Sequence, residues 1–236
     1  MRRSKDSRIK ATARREKAAP GKAMKEKANR VLSELKRLYP NPHHYLNFEN
    51  PFQLLIATIL SAQCTDEKVN EVTTDLFRRY PGPGDFAGEK LEYIEEAVRP
   101  TGFFRNKAKA IKGASEAIVE RFGGKVPETM DGLCSLPGIA RKSANAILQH
   151  GFSKVEGIVV DTHVIRLARR LGWSHEKDPT KIERDLMTLF DQHEWRWIPF
   201  YLKNHGRTIC RAPTPRCGEC VVSIVCPSAL IEPPKK

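Results

Sequence analysis

Lys142 stands at the start of a helical pattern, a place where a lysine invites explanation. Pro137 and Gly138 separate two apolar runs, Met130, Leu133, Leu136 and then Ala144, Ile147, Leu148, so the spacing predicts helix, hairpin, helix. Such a turn leaves the first N–H groups of the second helix unpaired, and the helix dipole adds partial positive charge. That end suits a phosphate. A lysine there opposes the dipole, which makes its ammonium easier to deprotonate. A chemical role needs a partner, and Asp161 in V-D-T-H is the candidate. The plainer alternatives are a solvated or phosphate-pairing lysine and an aspartate that caps the helix of Val164.

A second constellation lies at the C-terminus, where Cys210, Cys217, Cys220 and Cys226 follow C-x6-C-x2-C-x5-C. Clustered thiolates point to metal, and both tetrahedral zinc and an iron–sulfur cluster use four cysteines on short loops. Spacing leaves the two open. A site that fastens a short tail lacking its own core is favoured over electron transfer. Arg207, Arg211 and Arg216 give the same loop a possible hold on phosphate.

The chain as a whole is basic, with 41 Lys and Arg against 28 Asp and Glu, a formal charge of +13. A polyanionic partner is implied, nucleic acid ahead of an acidic membrane. Residues 1–25 carry much of that charge and almost no large apolar side chain, and read as a flexible basic arm. No apolar run is long enough for a membrane span, and no signal-peptide centre is present. The expectation is a soluble intracellular protein.

The elements that must position these residues read as helices throughout. Val31, Leu32, Leu35 and Leu38 mark one amphipathic helix, and the run P-F-Q-L-L-I-A-T-I-L-S-A marks a short helix at the centre of a bundle. Gln63 falls in the bend before a helix capped at Thr65, and Pro81 to Gly84 read as a loop. Phe103 and Phe104 lie among cations, but composition alone makes them core residues. Gly123 and Gly124 stop the helix that follows, and Asp178-Pro179 opens a later one. Only Gly157 to Val160 could be a strand, so the fold class is all-α.

Taken together, L-S-A-Q-C-T-D at 60–66, L-P-G-I-A-R-K-S-A-N at 136–145, V-D-T-H at 160–163, H-G-R at 205–207 and the four-cysteine loop resemble the endonuclease III branch of helix-hairpin-helix DNA glycosylases. The resemblance covers roughly residues 28–228. It implies two helical lobes with DNA in the cleft between them: a continuous lobe over 45–155, with the helix-hairpin-helix at about 129–150, and a second from 26–44 plus 156–230. The second would include the cluster loop, 210–226, with a [4Fe–4S] cluster, and 231–236 would be a tail.

By the same resemblance Lys142 matches the nucleophile and Asp161 the catalytic carboxylate, either taking the lysine proton or stabilising positive charge on the sugar. Gln63, otherwise simply a turn residue, matches the residue that fills the space of an extruded base, and Phe103, otherwise a core residue, the apolar wedge. Gly138, Ala140, Arg141, Arg211 and Arg216 would contact DNA. The family usually has glycine at the place of Ala140, and alanine resists positive φ, so a shifted turn is expected there. The implied activity is a bifunctional glycosylase and abasic-site lyase of base excision repair, acting as a monomer on damaged duplex DNA and removing oxidised pyrimidines. In a prokaryote it would work in the cytoplasm, at the nucleoid. The alternatives are a glycosylase with another base preference, such as mismatched thymine or uracil, and a non-catalytic cluster-bearing DNA-binding protein.

Overall fold

A computed structural model describes residues 21–229. Most of the basic arm, and the tail at 231–236, lie outside the described residues. Among those described the regular structure is helical: α1 Lys22–Leu38, α2 Pro51–Leu60, α3 Asp66–Arg79, α4 Pro83–Gly88, α5 Leu91–Val98, α6 Phe104–Phe122, α7 Met130–Cys134, α8 Arg141–Gly151, α9 Thr162–Arg170, α10 Pro179–Leu189, α11 Gln192–Trp195 and α12 Ile198–Thr208. Helix α1 begins at Lys22, earlier than its apolar pattern, because Lys, Ala, Met and Glu extend a helix through an exposed first turn. The Pro-Gly-Pro-Gly stretch is not all loop. Asp85 accepts the Gly82 N–H at 2.8 Å and caps α4, which exists to bury Phe86 completely.

Two apolar cores organise the chain. One gathers α2 to α8 around Leu54, Leu55, Ile56, Ile111, Ile118 and Ile147. Helix α2 is at its centre, with residues from Phe52 to Leu60 buried on nearly every side, each large side chain worth about 1.5–3 kcal/mol by burial. The other core joins α1 to α9, α10 and α12 through Val31, Leu35, Leu167, Leu186 and Leu202. Residues near both ends of the chain therefore meet in one core. No strand forms at Gly157 to Val160 among the described residues. Ile158 and Val160 are instead buried singly in the second core.

Polar contacts bind the two cores. Glu183 of α10, buried at 3% exposure, accepts Arg141 Nε at 2.8 Å and Asn145 Nδ2 at 2.8 Å from α8. Gln149 of α8 donates to the Gly157 carbonyl. Gly157 must lack a side chain, since a β-carbon there would lie 2.0 Å from Glu183 Oε1.

Candidate active site

Helices α8 and α9 both begin at one cleft of about 150 Å3, open to solvent, and bring Lys142 and Asp161 to it from opposite cores. Ala144, Ile147 and Leu148 hold α8 against the first core and leave Lys142, its second residue, exposed. Asp161 caps α9, its Oδ1 accepting the Val164 N–H at 2.8 Å. The capping role weighed from the sequence is thus real, and it fixes a carboxylate at the cleft with its other oxygen free of that bond.

The hairpin is built as its residue types demand. Gly138 has φ +80°, and a β-carbon would lie 2.8 Å from that of Ala110, so both conformation and space require glycine. Ala140 corrects the expectation placed on it. Its φ of −97° and ψ of 169° are extended backbone, which alanine adopts without strain, so the turn keeps its N–H groups in place. Arg141 pairs its guanidinium with Glu183 while 46% of its side chain stays exposed, and its backbone N–H lies at the start of α8.

Three exposed residues outside the cleft share an unusual backbone, Ser153 with φ 56° being one. Gln63, in the bend between α2 and α3, has φ 52°, and Phe103, at the start of α6, has φ 47°. Left-handed backbone is uncommon for non-glycine residues and costs of order 1–3 kcal/mol. Phe103 is 62% exposed, against its compositional reading, whereas Phe104 packs on the first core. Beneath that turn Lys107 is buried and donates its Nζ to the Thr101 carbonyl at 2.7 Å.

The cleft has a charged hub that periodicity did not reveal. Asp66 Oδ2 accepts Lys203 Nζ at 2.8 Å and Arg207 Nη2 at 2.9 Å. Burial would push the Asp66 carboxyl up, but the two cations outweigh it and hold it below the usual carboxylate range. Lys203 Nζ also stands 3.9 Å from the centre of the Tyr45 ring. The spacing H-G-R is explained by three different partners. His205 reaches Tyr39 Oη at 3.3 Å and Cys220 Sγ at 3.4 Å. Gly206 lets α9 and α12 close together, as a β-carbon would lie 2.8 Å from His163 Nδ1. Arg207 completes the hub.

Cys210, Cys217, Cys220 and Cys226 line one largely apolar cavity beside Leu167, Leu171 and Val222. No three His, Cys, Asp or Glu among the described residues are placed to hold a metal ion, but the donor set fits a larger thiolate-bound group. Arg170 Nη1 donates to Cys210 Sγ at 3.2 Å and to the Arg211 carbonyl at 2.8 Å, contacts that suit charged sulfur. Arg211 and Arg216 are exposed on this loop, Arg211 anchored by Nε to the Arg207 carbonyl at 3.1 Å and Arg216 facing Glu219 at 3.5 Å. No helix is long and apolar enough to cross a membrane among the described residues.

Comparison with known proteins agrees with this arrangement. Residues 56–192 match the family described as the HhH-GPD superfamily base excision DNA repair protein. Endonuclease III of Synechocystis sp. is 51% identical over 205 residues, covering 87% of this chain and 94% of that protein. Endonuclease III of Bacillus subtilis is 40% identical over 196 residues, covering 83% and 89%. A solved structure of a trapped endonuclease III–DNA covalent intermediate, the estranged-adenine complex, superposes with a TM-score of 0.83 at 37% identity, over 87% of this chain and 96% of that one. The chain belongs to the endonuclease III family of helix-hairpin-helix base excision DNA repair proteins, DNA glycosylases with abasic-site lyase activity.

Proposed function

We propose that this glycosylase and lyase removes oxidised pyrimidines from duplex DNA through a Schiff base on Lys142, with Asp161 as its acid–base and electrostatic partner. The observation that carries the proposal is the convergence of Lys142 and Asp161, from the starts of two helices on different cores, on one open cleft. A base inside a duplex is unreachable, so it must be extruded, at least cost when damage has weakened its stacking. Gln63 and Phe103, exposed and held in left-handed backbone, fill the vacated space and wedge the step. The N–H groups from Gly138 to Arg141 hold a phosphate beside the lesion.

The neutral amine of Lys142 attacks C1′. The N–C1′ bond forms, the glycosidic bond breaks, and the base leaves with a proton. The C1′–O4′ bond then opens, with a proton to O4′, as nitrogen forms the C1′=N Schiff base; this acidifies C2′–H, whose loss gives an enamine, and the enamine's electron pair forms C2′=C3′ as the C3′–O bond breaks and the 3′ phosphate leaves. Asp161 is fixed by its cap bond to receive the lysine proton or to face the cationic sugar. Cys210, Cys217, Cys220 and Cys226 are the residues to hold a [4Fe–4S] cluster, which when bound would cross-link the end of α12 to the C-terminal loop. Arg170 and His205 orient the sulfurs of Cys210 and Cys220, and exposed Arg211 and Arg216 meet the DNA backbone. The two-core arrangement suits a monomer that clasps DNA in its cleft.

Borohydride trapping on duplexes carrying thymine glycol, a uracil mismatch or an abasic site tests the proposal. A covalent adduct is expected with thymine glycol and the abasic site, and its loss in Lys142→Ala assigns the amine. No adduct with any duplex would refute the lyase mechanism.

A further inference from the structure

The cleft extends past Lys142 and Asp161 to a pair of histidines that no motif singled out. The rings of His44, before α2, and His150, near the end of α8, lie 4.5 Å apart between centroids, and both line the cleft. Lys142, Ala146 and His150 recur every four residues along α8 and all line it. Small Ala146 leaves open the space between the other two. Lys142 and His150 are about 12 Å apart along the helix axis, roughly a lysine side chain plus a pyrimidine.

This end of the cleft carries hydrogen-bonding groups without protein partners. His44 uses Nδ1 on the Leu46 backbone at 3.2 Å and has Nε2 to spare. His150 meets the His44 and Trp197 rings and makes no hydrogen bond to the described residues. Gln149 Oε1 and Arg196 Nε are buried without a partner, and both residues line the same cleft. Buried polar groups are normally satisfied, so an unsatisfied set around a cavity points to a ligand with complementary groups. Tyr45 and Phe200 stack at 5.8 Å and supply an aromatic wall.

We propose that His44 and His150 form the base-reading end of the cleft, hydrogen-bonding the Watson–Crick edge of an extruded pyrimidine of either the uracil or the cytosine type. The assignment rests on the cleft receiving the extruded base, as proposed above. Burial lowers the pKa of both rings: His150 falls to about 3, with His44 and Arg196 adding to the effect, while at His44 the bond to the Leu46 backbone and Asp66 oppose burial, Lys203 and Arg196. A neutral imidazole has one donor and one acceptor, and tautomer exchange swaps them. Two such rings match the acceptor–donor–acceptor edge of a uracil-type lesion or the altered edge of a cytosine-type lesion without moving. A pocket of fixed donors could match one of these but would leave buried groups unpaired against the other.

Single-turnover excision of thymine glycol and of 5-hydroxycytosine, beside strand cleavage at an abasic site, separates base reading from the lysine chemistry. His150→Phe keeps the ring and its contact with Trp197. It is expected to slow excision of both lesions by about ten-fold or more while abasic cleavage stays within about two-fold. His150→Asn, which retains a donor and an acceptor, is expected to recover most of the loss. If His150→Phe does not fold, His150→Leu against His150→Asn makes the same comparison. Equal losses on base and abasic substrates, or none, would overturn the assignment alone. Absence of an adduct with the unsubstituted protein would overturn the proposed function and the assignment together.

Discussion

Glu183→Gln tests whether the hairpin is positioned from the second core. Glu183 accepts three hydrogen bonds, from Arg141 Nε at 2.8 Å and Nη2 at 3.3 Å and from Asn145 Nδ2 at 2.8 Å. The amide keeps the shape but removes the charge and turns one oxygen into a donor that faces another donor. Losing a hydrogen bond to a charged group costs about 1.5–3 kcal/mol. The Arg141 side chain is 46% exposed, so water compensates in part and about 2 kcal/mol is expected. For a protein of this size that lowers Tm by about 4–8 °C.

The chemistry should suffer beyond the stability loss, because α8 also carries Lys142. A displacement of about 1 Å can cost two orders of magnitude in rate. Scanning calorimetry and the rate of borohydride-trapped adduct formation well below Tm measure the two effects. A melting temperature within about 1 °C of the unsubstituted protein, with trapping within about two-fold, would refute the brace as worked from these distances.

Three further outcomes follow from the geometry. Gly138→Ala should destabilise by about 1–3 kcal/mol and weaken DNA binding, since φ is +80° and the new methyl meets Ala110, whereas Ala140→Gly should change binding less than two-fold by fluorescence anisotropy because that backbone is already extended. Asp161→Asn should preserve thermal stability, because asparagine caps a helix as well as aspartate, yet lower turnover steeply; Asp161→Ala should add a loss of about 1 kcal/mol, and similar melting of the two variants would contradict the cap. Acid should destabilise the fold through His150, whose folded pKa of about 3 lies below its unfolded value. The stabilisation is full above about pH 6.5 and is lost as pH falls toward 3, by up to about 1.4 kcal/mol per pH unit, and His150→Phe should flatten that part of the Tm–pH profile.

Signals that act within a few residues were legible in the sequence. The helical periods, the turn at Pro137-Gly138, the caps at Thr65 and Asp178 and the Gly123 stop form in place because each depends on groups adjacent along the chain. The motifs shared with the family likewise single out Lys142, Asp161 and the four cysteines. Tertiary packing alone decided which distant groups meet. Asp66 pairs with Lys203 and Arg207, Arg141 pairs with Glu183, and His44 faces His150. Exposure of Phe103 and the relaxed φ of Ala140 were decided in the same way. Composition records what a side chain can bury or bond, but its partner is set by how the two cores close around the cleft, and no local pattern in the chain encodes that closure.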